Sequence, residues 1–241
     1  MPDSRGWLRT AFLTALALLA FASNSVLCRM ALREATVDAA SFSTIRLVSG
    51  AAVLLLIAAL RKRSQETKRQ GNWASPALLF LYAVPFSFAY MSLAAGTGAL
   101  ILFAAVQATM ILVGLWSGER PHYMEWVGHL VALVGLVYLV FPGLSAPSPM
   151  GSFLMMIAGI AWGVYSLRGR GAVDPIGDTT NNFVRSVPFV IVISLITLGN
   201  IHVSAEGILL AVLSGALASG MGYVVWYAAL RGLTATRAAM V

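Results

Sequence analysis

Eight apolar stretches, each long enough to cross a bilayer, decide what this chain can fold into. They are Thr10–Met30, Ser41–Leu60, Trp73–Ala95, Gly98–Trp116, Tyr123–Phe141, Gly151–Leu167, Asn182–Leu198 and Gly207–Leu230. A helix crossing about 30 Å of hydrocarbon needs roughly 20 mainly apolar residues. Within that layer only helices and closed barrels satisfy their own backbone. Membrane strands would alternate over about ten residues, and these runs do not. The prediction is an all-α, polytopic integral membrane protein. Composition agrees: 59% of the 241 residues are hydrophobic and 10% are charged, against about 25% charged in a soluble domain. Too little polar side chain is left to cover a water-facing surface.

The connections are short and carry breakers, such as Gly96-Thr97-Gly98 and Pro142 through Pro149. Their charges predict the orientation. Arg5, Arg9, Arg61, Lys62, Arg63, Lys68, Arg69, Arg120, Arg168, Arg170, Arg185, Arg231 and Arg237 fall on one side of the eight runs, and only Arg29, Arg33 and Arg46 on the other. The N-terminus is therefore expected in the cytoplasm. The net charge of +7 sits between hydrophobic runs rather than in an aromatic-laced stripe, so no nucleic-acid partner is expected. Arg5 and Arg9 precede an apolar run in which Ala20-Phe21-Ala22 resembles a signal-peptidase site. The run continues to Met30 and has a counterpart later in the chain, so it reads as a retained helix.

That counterpart belongs to an internal repeat. Phe21 through Arg29 aligns with Trp162 through Arg170, Phe42 through Arg46 with Asn181 through Arg185, and Tyr90-Met91-Ser92-Leu93 with Tyr227-Ala228-Ala229-Leu230. The offsets are nearly constant. Helix one then pairs with helix six, giving repeats of five helices over 1–141 and 142–241. An odd number inserts the second copy upside down, an arrangement transporters use to place a site near the midplane. Ten helices are expected from such a repeat. Ala238-Ala239-Met240-Val241 reads as a ninth helix just beginning, so the sequence is expected to be a fragment or a truncated product.

Three segments carry a family resemblance: Gly118-Glu119-Arg120-Pro121 after the fourth run, Ala161-Trp162-Gly163 in the sixth, and Gly222-Tyr223-Val224-Val225-Trp226-Tyr227-Ala228-Ala229-Leu230 closing the eighth. They resemble EamA-type drug/metabolite transporters over essentially the whole chain, with the second repeat incomplete. The resemblance implies a ten-helix carrier with both termini cytoplasmic, moving metabolites across the bacterial inner membrane, usually outward. Family members often carry a proline in mid-helix four, where this sequence reads Val106-Gln107-Ala108.

Polar groups inside a span tend to face an interior cavity. Asn24 and Gln107 sit deep in the first and fourth runs, where an amide offers a solute both donors and acceptors. The competing reading is an interhelical hydrogen bond. Trp162 and Tyr165 share a helix face. With Tyr90, Trp226 and Tyr227 they can wall a solute cavity, although tryptophan and tyrosine also collect at membrane interfaces. Arg46 and Arg185 occupy matching repeat positions about a turn inside their helices, where gating competes with snorkelling to the interface. Glu119 closes helix four as a gate or as a paired acid. Gly114-x-x-x-Gly118 and Gly159-x-x-x-Gly163 are expected to let helices approach closely, and a homodimer is compatible with such surfaces.

No Asp or Glu lies in mid-span, so a proton relay on a buried carboxylate is not expected. The solute is expected to be neutral or zwitterionic, an amino acid, similar metabolite or drug, moved by alternating access. Cys28 is the single cysteine, which excludes an internal disulfide. The three histidines show no metal-ligand spacing, and neither metal nor cofactor is predicted. Gly143-Leu144-Ser145-Ala146, with His202 as a base, is a weak echo of an intramembrane serine protease; it lacks the final glycine, and an enzyme is not expected. A non-transporting assembly protein or an inactive remnant is the alternative.

Overall fold

The computed structural model describes residues 4–60, 72–120, 122–141, 147–170 and 172–239. The basic cluster Arg61–Arg69, Pro121 and the segment Pro142–Ala146 lie outside the described residues. Eight long helices stand where the apolar runs predict them: α1 Ser4–Arg33, α2 Ala39–Leu60, α3 Ala74–Tyr90, α4 Ala95–Trp116, α5 Tyr123–Val140, α6 Pro149–Gly169, α7 Pro175–Ile196 and α8 Ala205–Leu230. A short α9 follows at Ala235–Ala239. Six of them, α1, α2, α4, α6, α7 and α8, are long and apolar enough to cross a membrane. The protein is a polytopic all-α membrane protein. Helix α1 runs unbroken through Ala20-Phe21-Ala22.

Three boundaries differ from the hydropathy reading by five residues or more. Helix α1 begins at Ser4 rather than Thr10. Helix α7 begins seven residues earlier, at Asp174-Pro175, because Pro175 is pre-set for a first helical turn. Its polar first turns turn inward, with Thr179 and Thr180 buried, so they are helical without being apolar. Helix α3 stops at Tyr90 rather than Ala95, and a turn over Met91–Leu93 leads into α4.

The helices pack in a reciprocal pattern: α3 lies along α6, α8 lies along α1, α2 crosses α7, and α4 runs along α6. Large apolar side chains such as Leu60, Val131, Leu195 and Ile196 point outward, as a lipid-facing surface requires. The close crossings rest on glycine. Gly159 and Gly163 press α6 onto Ala105, Val106 and Thr109 of α4. Gly118, by contrast, sits beyond the end of α4 at φ +83° with nothing near its Cβ position. It is a left-handed helix stop, so Gly114-x-x-x-Gly118 is not a packing pair. Gly50 and Gly215 bring α2 and α8 together; a Cβ on Gly215 would meet the Arg46 carbonyl oxygen and the Ser49 hydroxyl. At this crossing α8 changes to π-helical winding over Ser214–Met221, a rare form that inserts an extra residue per turn.

Candidate functional site

At the centre of the bundle, polar side chains from four helices meet inside an aromatic shell. Asn24 of α1 donates through Nδ2 to the Tyr82 hydroxyl of α3 at 3.0 Å and accepts at Oδ1 from the Ser214 hydroxyl of α8 at 2.6 Å. Arg46 of α2 donates through Nη2 to the same Tyr82 hydroxyl at 2.9 Å and through Nε to the Ser219 hydroxyl at 3.0 Å. Both Ser214 and Ser219 belong to the π-helical segment, which turns two hydroxyls onto this centre. The guanidinium carbon lies 5.0 Å from the Tyr82 ring centroid and 5.2 Å from that of Phe86.

Snorkelling does not describe Arg46. Its side chain is 1% exposed and bonded inward, because Gly50 and Gly215 let α8 close over it. The matching Arg185 behaves differently. It is half-buried, with its guanidinium 5.4 Å from the Trp73 ring.

The aromatic shell centres on Phe21, whose ring lies 5.0 Å from Trp162, 5.7 Å from Tyr223 and 5.8 Å from Trp226. Trp162 and Trp226 stack at 5.8 Å. Edge-to-face and offset pairs of this kind add attraction beyond area burial. Trp226 donates through Nε1 to the Ser166 hydroxyl at 3.1 Å, and the Tyr227 hydroxyl donates to the Tyr165 carbonyl at 3.3 Å. Tyr165 sits against Tyr223 and Tyr227. Tyr90 packs edge-on to Phe86 at 4.8 Å and is fully buried. None of Tyr90, Trp162, Tyr165, Trp226 and Tyr227 is an interfacial anchor.

A cavity of about 10 Å³ remains among Phe21, Ser25, Tyr82, Phe86, Leu102, Phe103 and Trp162, room for about one water. The indole Nε1 of Trp162 is buried without a hydrogen-bond partner among the described residues. A far larger groove of about 740 Å³ opens between α1 and α8, lined by apolar residues such as Leu19, Leu213 and Val225. Its lining is almost wholly apolar, without the donors and acceptors gathered at the bundle centre.

The sequence singled out Asn24, Trp162, Tyr165, Tyr90, Trp226, Tyr227 and Arg46, and the structure brings all of them into or against this cluster. Gln107 is half-buried on α4, one turn beyond Phe103, and outside both the hydrogen-bonded centre and the cavity wall. Tyr82, Ser214, Ser219, Phe21 and Tyr223 were missed. A hydroxyl or ring within an apolar run carries no signal by itself, although Tyr82 and Ser219 share the repeat offset of Tyr90 and Tyr227.

Each end of the bundle carries a clasp. At one end, the Asp38 N–H donates to the His202 carbonyl at 2.8 Å and the Ser204 N–H to the Thr36 carbonyl at 2.8 Å. Val37 and Val203 form an isolated antiparallel bridge between them. The Asp38 carboxylate accepts from the N–H groups of Ser41 and His202. Partial burial works against its charge, but these bonds outweigh it and hold Asp38 below its ordinary pKa. At the other end, Glu119 accepts from Arg170 at 2.8 Å and from the N–H groups of Ala235 and Thr236 at 3.0 and 3.1 Å. Burial again opposes ionisation, and the Arg170 bond followed by the two backbone bonds overcomes it, leaving the Glu119 pKa lowered. Glu119 is thus a paired acid that ties the end of α4 to the start of α9.

A polar core inside an apolar bundle, clasped at both ends, has the form of a carrier, and the comparisons with known proteins agree. The model of the EamA-like transporter family matches residues 8–141 and 149–241. The chain belongs to the EamA-like transporter family. It is a membrane transporter of that family, whose members are transporters rather than enzymes. It is 49% identical over 241 residues to an uncharacterized protein of Pseudomonas aeruginosa, covering all of this chain and 82% of that one. It is also 26% identical over 245 residues to an uncharacterized transporter of Archaeoglobus fulgidus, covering 96% and 83% of the two chains. A protein of known crystal structure shares its fold with a TM-score of 0.73 at 17% identity, covering 95% of this chain and 83% of that one.

Proposed function

We propose that this EamA-family transporter is a permease of the bacterial inner membrane that exports small metabolites by alternating access. The solute is a neutral or zwitterionic molecule such as an amino acid. The observation that carries the reading is the central cluster. Asn24, Tyr82, Arg46, Ser214 and Ser219 place donors and acceptors at mid-bundle within a cage of Phe21, Trp162, Tyr223 and Trp226. Buried hydrogen-bonding groups on the floor of an aromatic cage suit a small solute with one polar and one apolar end.

We read residues 1–141 and 142–241 as inverted repeats rocking against each other. Two matches to the family model and the reciprocal packing of α3 on α6 and α8 on α1 support this. So does Arg46, which bridges Tyr82 and Ser219, residues 137 apart, the same offset as Tyr90 and Tyr227. The charge bias of the connections supports a cytoplasmic N-terminus. Asp38 with His202 would then close the periplasmic end, and Glu119 with Arg170 the cytoplasmic end.

The test compares metabolites released into the medium by cells expressing wild type, Trp162→Phe or no protein. The reading expects wild-type cells to release at least one small metabolite in excess, with that excess lost in Trp162→Phe at equal membrane abundance. Identical media from all strains would refute it.

A further inference from the structure

Arg46 is a buried cation with no counter-ion among the described residues. A guanidinium stays protonated in proteins, and isolating a charge from water is strongly unfavourable unless it is paired. Around Arg46 stand the Tyr82 and Tyr223 hydroxyls and the Cys28 thiol. No carboxylate among the described residues forms an ion pair with it. Its contacts with Tyr82, Ser219 and the two ring faces are all to hydroxyls and π faces, and its Nη1 is buried with no hydrogen-bond partner among the described residues. One layer away, across the Tyr82 ring, the Trp162 Nε1 likewise has no partner among the described residues, at the wall of the central cavity.

We propose that Arg46 is the anchor for a carboxylate on the transported solute, so that loading the carrier completes the missing ion pair. This inference rests on the permease reading and narrows its solute class to carboxylate-bearing zwitterions. A carboxylate suits the position because a guanidinium presents paired donors in the plane that two carboxylate oxygens match. The rings of Tyr82 and Phe86 that now cover Arg46 are the wall that rocking of α3 would move. An empty carrier keeps its charge covered by π faces and hydroxyls; a loaded one replaces part of that cover with an anion. Solutes lacking the anion leave Arg46 unpaired and cross more slowly.

The experiment uses the full chain in liposomes loaded with a mixture of common amino acids and their carboxamides, which differ only at the carboxylate. Release of each member is followed by mass spectrometry against protein-free liposomes. The inference expects one or more acids to be released at least about tenfold faster than their amides, the factor a charge-assisted bond carries. Arg46→Gln, which keeps an amide donor without the charge, is expected to erase that preference, and Arg46→Lys to retain part of it. Equal release of acids and amides by the wild type would overturn the anchor while leaving the permease intact. So would an unchanged preference in Arg46→Gln. Release of no member above the protein-free rate would overturn both readings. The wild-type comparison decides even if Arg46→Gln fails to fold.

Discussion

Arg46 on α2 and Tyr82 on α3 share two contacts at once: an Nη2 hydrogen bond of 2.9 Å to the hydroxyl and a guanidinium lying 5.0 Å from the ring centroid. The same hydroxyl also accepts from Asn24. A single phenolic oxygen therefore joins three helices, using both of its lone pairs. Tyr82→Phe is expected to destabilise the protein by about 1–3 kcal/mol, since it leaves two buried donors without an acceptor. A double-mutant cycle with Arg46→Gln in detergent-unfolding measurements should show coupling. Additive effects would mean that the two residues do not support one another.

The α2–α8 crossing gives a packing prediction. Gly215 has no room for a side chain beside the Arg46 carbonyl. Gly215→Val is expected to cost about 3 kcal/mol, the upper end for overpacking, and to remove the monodisperse species on gel filtration. Gly199, with nothing near its Cβ position, is the control, and Gly199→Ala should behave as wild type.

The end clasps give a pH prediction. The folded-state pKa values of Glu119 and Asp38 are lowered, so their stabilisation is fully present above the unfolded carboxylate range of about 4. It is lost as pH falls through the lower folded values. Thermal unfolding midpoints should hold steady from pH 7 towards 5 and drop below about 4. Glu119→Gln should lower the midpoint at neutral pH and flatten part of the acid drop. An unchanged acid limb in the Asp38→Asn, Glu119→Gln double variant would assign the drop to other groups.

The Trp162 indole gives a transport prediction separate from folding. Trp162→Phe keeps the ring contacts with Phe21 and Trp226 but removes the unpartnered Nε1 donor. Flux should fall by up to about tenfold, the upper end for loss of one hydrogen bond, with little change in the unfolding midpoint. Trp226→Phe should do the reverse, because its Nε1 is already engaged by Ser166.

How much of this was legible in the sequence follows from which forces act locally. The eight helices were, because bilayer thickness fixes their length and hydropathy marks them. Asn24 and Trp162 were also visible as polar or amphipathic groups deep in a span. The azimuth of Gln107 was not, since α4 is apolar nearly all round and hydropathy does not say which face meets α6. The fate of Arg46 was not visible either. A turn's depth from the helix end permits snorkelling, and only the approach of Gly215 from another helix closes that route. Tyr82, Ser214 and Ser219 were hidden for the same reason: their partners lie 36 to 190 residues away.

Alternating access requires the clasp between Thr36–Asp38 and His202–Ser204 to open in every cycle, and a cross-link there tests it most directly. In a Cys28→Ser background, Val37→Cys and Val203→Cys place thiols on the two bridged residues. Oxidation to a disulfide should stop solute release from proteoliposomes, and reduction should restore it, while either single variant transports throughout. Full transport with the disulfide formed would contradict the account.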